Sequence, residues 1–109
     1  MTSKSIPADK RTNRPRTSDY TKPFLKDWEK LSQSGRYDMV RLKEVMLLLI
    51  ANETPLGPEW RDHPLQGKWQ GSRECHVGGD FLLVYKLLED SWGEQIVFMR
   101  VGTHTELFD

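Results

Sequence analysis

The sequence has one cysteine, Cys75, no formal net charge and no long apolar run. A single cysteine excludes an internal disulfide framework and fits a reducing compartment. The longest apolar block, Val45 to Ala51, falls far short of the roughly 20 residues that cross a bilayer as a helix. No stretch near the N-terminus has the apolar core of a signal peptide, so a soluble, cytoplasmic protein without a membrane partner is expected. Zero net charge argues against a generic duplex binder, which is normally basic throughout. Apolar residues are modest at 37% of 109, enough for one domain, and four Trp, four Phe and three Tyr supply large areas to bury.

The balance of charge is local, not uniform. Lys4, Lys10, Arg11, Arg14, Arg16 and Lys22 outnumber Asp9 and Asp19 in the first 22 residues. Residues 1–19 therefore read as a basic, flexible tail, disordered to about residue 12. Residues 13–18 suggest an edge strand, where Pro15 is tolerated. Residues 20–109 form the folded domain.

Two helices come first. Phe24, Leu25, Trp28 and Leu31 recur at helical spacing, Pro23 suits a first turn and Ser34-Gly35 a stop, which predicts a helix over 21–33. Met39, Leu42, Val45, Met46, Leu49 and Ile50 stripe a second helix over 37–51. Its C-terminal half is apolar nearly all round and is expected to be buried on most sides.

Residues 52–71 are irregular, broken by three prolines and three glycines, with Leu56, Trp60, Leu65 and Trp69 as anchors. Loops of that length are usually functional or mobile. Strands are expected over 72–77, 80–88 and 95–101, in an antiparallel meander. The order of two helices then three strands gives an α+β class, the two N-terminal helices packed on one face of a small antiparallel sheet.

All three histidines, His63, His76 and His104, fall at loop or strand-end positions, and imidazole both takes and gives protons near neutrality. Asp80 follows His76 by four residues. A two-residue loop at Gly78-Gly79 sets His76 opposite Phe81 and turns His76 and Asp80 to opposite faces. A three-residue loop over 77–79 sets His76 opposite Asp80, as a cooperating pair requires. Taken singly, each histidine is better explained as a hydrogen-bonded structural residue than by chemistry, and Cys75 reads as a small buried hydrophobe. A metal site built from the histidines, Asp80 and Cys75 lacks a CxxC or HxxxH grip.

The run Asp62-His63-Pro64-Leu65-Gln66-Gly67 with Trp69, then Arg73-Glu74-Cys75-His76, Asp80, Leu83-Val84-Tyr85-Lys86, Arg100-Val101-Gly102-Thr103-His104 and Leu107-Phe108, resembles the YafQ-type toxins of the RelE superfamily. The resemblance covers most of 20–109, with Phe81 where such sequences usually carry Trp. It implies a RelE-like fold and a ribosome-dependent mRNA endonuclease of a type II toxin–antitoxin system, free of cofactor and metal. The implied partners are a cognate antitoxin, through which an oligomer can form, and mRNA in the 30S A site of the ribosome. The matching functional positions are His63, His76, Asp80, Arg100, His104 and Phe108.

RNA supplies its own nucleophile, the 2′-hydroxyl. Cleavage then needs a base, an acid and a cation for the phosphorane, at roughly 10²–10⁴ in rate for each positioned acid or base. His104 is the expected general acid and Asp80 or His63 the base. His76 orients or stabilises the phosphate, and Arg100 holds the growing charge with its fork of donors. Phe81 and Phe108 are expected to stack on bases, with Arg73 and Lys86 as further substrate contacts. The alternative is a module of the same fold that binds ribosome or antitoxin without cutting.

Overall fold

Thr21 closes one element and opens the next. The structure, a computed structural model, describes residues 14–108 except Thr54. Strand β1 (Thr17–Tyr20) runs into helix α1 (Lys22–Ser34), where the Thr21 hydroxyl accepts from Phe24 N at 3.1 Å and donates to Met99 O at 2.7 Å. One side chain thus caps the helix and ties it to the sheet. Gly35, at φ 68°, ends α1 in the left-handed region that glycine enters without strain. Asp38 caps helix α2 (Met39–Ile50) by accepting from Arg41 N at 2.9 Å.

The remaining strands are β2 (His63–Pro64), β3 (Arg73–Gly78), β4 (Phe81–Asp90) and β5 (Gly93–Thr103), followed by a short helix α3 (His104–Phe108). Their order in the sheet is β1-β5-β4-β3-β2. The class is α+β, as expected, but the sheet is mixed, because β1 pairs parallel with β5 from Thr17–Gln95 to Tyr20–Phe98. Nor is residue 16 part of a loose tail. The Arg16 side chain is buried, its Nε 3.0 Å from Glu94 and its Nη1 donating to Leu49 O at 2.7 Å at the negative end of α2. The expected disorder of residues 1–12 lies outside the described residues.

Strand β4 explains why Phe81 to Tyr85 is apolar without a break. Successive side chains alternate faces, and both faces are covered. Phe81, Leu83 and Tyr85 face α1 and α2, packed with Phe24, Leu42 and Leu49; Leu82 and Val84 face Leu107, Phe108 and Trp69 on the other side. The helices therefore do not all lie on one face: α3 covers the second. The expected burial of the C-terminal half of α2 on most sides is also wrong in part, since Leu47 there is 64% exposed, as is Val40 in the first half at 77%. A helix packed on a sheet buries one stripe only, and these two residues, seven apart, lie on its outer side.

Candidate active site

Two devices build the face that carries the histidines. The first is Asp62, which accepts from Arg73 Nη2 at 2.9 Å and Nε at 3.3 Å and from the Tyr85 hydroxyl. Burial first, then Asp62, push the Tyr85 hydroxyl far up, so it remains a donor; the Asp62 bond likewise raises Arg73. This clamp fixes the chain on which Arg61 and His63 flank Asp62. Arg61 adopts φ 48°, uncommon for a residue with a side chain. Its carbonyl receives His63 Nδ1 at 2.7 Å. A carbonyl only accepts, so Nδ1 carries the proton and Nε2 points inward.

What Nε2 meets is Glu74. The register sets His63 opposite Glu74 across β2 and β3, and His63 Nε2 lies 3.2 Å from Glu74 Oε2. His76 Nε2 approaches the same oxygen at 3.5 Å. Glu74 and His76 are two apart on a strand and so share a face. The Glu74 carboxylate is buried and its Oε1 has no hydrogen-bond partner among the described residues. With Nδ1 already a donor, the contact of Nε2 with Glu74 is attractive only when a proton lies between them, on the ring or on the carboxyl, or when a cation does. His63, Glu74 and His76 hold their ligating atoms within 4.8 Å of one another, a nitrogen and oxygen donor set suited to zinc or copper. No metal was expected from the sequence, and Glu74 was overlooked there, although the spacing Glu74-x-His76 on a strand is a legible signal.

The second device is the N-terminus of α3. Thr103 Oγ1 accepts from Glu106 N at 3.3 Å while Glu106 Oε1 accepts from Thr103 N at 2.9 Å, a reciprocal capping box. The bond from Thr103 N, more than the nearby Lys30, holds the Glu106 carboxyl below its usual range. The chain turns back tightly here. A Cβ on Gly102 would lie 2.9 Å from Glu106 Oε1 and 3.4 Å from Leu107 Cδ2. His104 is the first residue of α3, exposed, with its ring 4.9 Å from Phe108, which meets Trp69 edge-on at 5.9 Å.

Asp80 joins the two devices differently from either hairpin expected above. Gly78 pairs with Phe81 and His76 with Leu82, with a bulge at Val77, so Gly79-Asp80 is the turn. The extra residue shifts the register by one. Asp80 then does not face His76; its Oδ1 accepts from His104 N at 3.0 Å. His76, Leu82 and Gly102 stand in one row across β3, β4 and β5. His76 is therefore about 10 Å, two strand spacings, from the strand that leads to His104.

The other expected site residues are each engaged by the fold. Phe81 is only 5% exposed and packs on Tyr37 with ring centroids 4.9 Å apart, so no base can stack on it. Being opposite in parity to Leu82, it points into the helix-covered core. Arg100 donates through Nε at 2.6 Å and Nη2 at 3.0 Å to Asp27, which also accepts from Val101 N and raises Arg100 further. Its fork is occupied by α1, which takes over the edge of β5 where β1 ends. Arg73 is held by Asp62 in the same way. Lys86 is half-buried, its Cε 3.8 Å from where a Gly71 Cβ would sit. Cys75 is a core residue whose thiol burial pushes far up, as expected.

The sequence model of a family described as the bacterial toxin YafQ of type II toxin–antitoxin systems matches residues 16–109. The chain belongs to the YafQ toxin family. It is 44% identical over 93 residues to the mRNA interferase toxin YafQ of Escherichia coli K12, spanning 85% of this chain and 96% of that one. Its structure resembles YafQ in the crystal structure of the E. coli DinJ-YafQ complex at TM-score 0.75 and 44% identity, covering 86% of this chain and 99% of the other. It also resembles a metal-bound toxin from Helicobacter pylori, at TM-score 0.72 and 39% identity, over 85% and 99%. The E. coli relative is thus named for cutting mRNA and is found complexed with DinJ, and a metal-bound toxin is among the similar structures. No described helix is long and apolar enough to cross a membrane.

Proposed function

We propose that this YafQ-family toxin is an endoribonuclease that cuts mRNA on the ribosome without a resident metal and is neutralised by an antitoxin of the DinJ kind. The observation that carries the reading is the single sheet face that carries the His63–Glu74–His76 cluster and, two strands away, the end of β5 that leads to His104. An RNA linkage set at the rim of that face, between the cluster and the start of α3, has an imidazole–carboxylate group on one side and an exposed imidazole on the other.

In that position the 2′-oxygen forms a bond to phosphorus as the bond from phosphorus to the 5′-oxygen breaks. The cluster takes the 2′-hydroxyl proton, and His104 gives a proton to the departing 5′-oxygen. The products are a 2′,3′-cyclic phosphate and a 5′-hydroxyl end. Asp80 acts through the backbone of His104 as a positioning residue rather than as the base. Within the cluster His76 is the side chain placed to donate to a non-bridging phosphate oxygen, since Arg100 is paired with Asp27. Phe108, stiffened by Trp69, offers a face for one base at roughly 1–3 kcal/mol.

The test is single-turnover cleavage of a message positioned in the ribosomal A site, with growth arrest on expression as the cellular readout. His104→Ala is expected to lose at least about 10²-fold and to be harmless. Equal toxicity of wild type and variant favours a module that binds without cutting.

A second reading is supported by the same cluster. An orphaned buried Glu74 oxygen beside two imidazole nitrogens fits a transition metal, which would occupy the base and compete with RNA. Cleavage that survives chelator and is blocked by added zinc supports an inhibitory metal over a catalytic one.

A further inference from the structure

Beside His76, on the side away from Leu82, a cleft of about 350 Å³ opens between the start of α2, the 3₁₀ turn Pro58–Trp60 and the β3–β4 hairpin. Arg41, Arg61, Glu59, His76 and the turn glycines Gly78 and Gly79 line it. Arg41 is held rigidly. Its Nε donates to Val77 O at 2.6 Å and its guanidinium lies 4.0 Å over the Trp60 ring. The terminal nitrogens of that guanidinium have no protein acceptor among the described residues, unlike those of Arg16, Arg73 and Arg100. Arg61 likewise has no carboxylate partner among the described residues, and it lines the same space. Against the two cations stands one carboxylate, Glu59, which is folded back against Gly57.

We propose that this cleft grips one backbone phosphate of the RNA strand flanking the scissile linkage, with Arg41 as the fixed donor and Arg61 as the second. The inference rests on the endonuclease reading and extends it to how the strand is held. A guanidinium immobilised by stacking and by one backbone bond loses little entropy on meeting a phosphate, and it offers two parallel N–H donors to two oxygens. The absence of side chains on Gly78 and Gly79 leaves the hairpin wall low enough for a backbone to pass. His76 belongs to both the cleft and the catalytic cluster, which places the gripped phosphate next to the reacting one.

The experiment is single-turnover cleavage of ribosome-positioned mRNAs carrying one uncharged methylphosphonate at each flanking linkage in turn. Wild type is compared with Arg61→Asn, because asparagine tolerates positive φ and keeps the carbonyl that orients His63. One linkage is expected to slow the wild type about tenfold and to leave Arg61→Asn, already slow, unchanged. The same pattern is expected with Arg41→Gln. Equal sensitivity of wild type and Arg61→Asn at every linkage overturns the proposal, as does a wild type that cuts well and ignores all of them. An Arg61→Asn protein that cuts at the wild-type rate but escapes its antitoxin also overturns it, in favour of an acidic peptide. If the wild type cuts nothing, the endonuclease reading fails first. Binding of the same strands, read as loss of affinity at one neutralised linkage in wild type alone, then decides the cleft.

Discussion

His63 Nε2 lies 3.2 Å from Glu74 Oε2, while the other nitrogen of the same ring is tied to the carbonyl of Arg61. One hydrogen bond fixes the tautomer and the other contact then demands a proton or a cation. Replacing Glu74 with Gln removes the negative charge yet keeps the shape. Cleavage by Glu74→Gln is expected to fall about 10²–10⁴-fold with the fold intact, measured as single-turnover rate beside a circular dichroism spectrum.

The same cluster predicts a response to metal. Zinc or copper is expected to bind wild type with release of protons, since ligating imidazoles must be neutral. Affinity should drop about 10-fold or more when Glu74 or His76 is replaced. Titration calorimetry in two buffers of different ionisation enthalpy reads both quantities.

Arg100 is expected to matter first for stability. Asp27 accepts from Arg100 twice and from Val101 N once. Asp27→Ala is expected to cost roughly 1.5–3 kcal/mol, the range for hydrogen bonds to charged groups, measured by urea unfolding. Arg100→Gln should lose a similar amount, while the protein that remains folded cuts within about tenfold of wild type. A far larger loss of rate in fully folded Arg100→Gln would mean that the guanidinium leaves Asp27 for the phosphate.

Gly102→Ala is expected to push the Glu106 carboxylate off Thr103 N and open the cap of α3, at about 1 kcal/mol. The chemical shift of the His104 ring protons should move toward the random-coil value, because Phe108 no longer stacks beside it.

Glu106 also gives a pH dependence of known sign. Its folded carboxyl is held low, chiefly by Thr103 N, so it contributes stability above its unfolded value near 4.3. That contribution disappears as pH falls through the depressed folded value. Glu106→Gln should therefore be less stable than wild type at neutrality, by under about 1 kcal/mol for so exposed a pair. The two should converge in acid, read as unfolding midpoints from pH 7 to 2.

Some of this was legible in the chain. The 3.6-residue stripe of Phe24, Trp28 and Leu31 and the stripe of Leu42, Val45 and Leu49 determined two helices. The run from Phe81 to Leu88 determined a long strand. The motif from Asp62 to His76 with Gly102-Thr103-His104 determined the family. The Thr103-x-x-Glu106 cap and the Glu74-x-His76 alternation were equally local and could have been read.

Other features were set by packing between distant segments. One bulged residue at Val77 shifts the hairpin and gives Asp80 to His104 instead of His76, and hairpin length alone allows either outcome. Whether Arg100 faces RNA or Asp27 depends on where α1 crosses the edge of β5, 73 residues away in sequence. The side of β4 on which Phe81 falls depends on that same register. The sequence by itself determined which elements form and which groups are available. Only the tertiary structure decided which groups meet, because a side chain two strands away exerts no influence on local propensity.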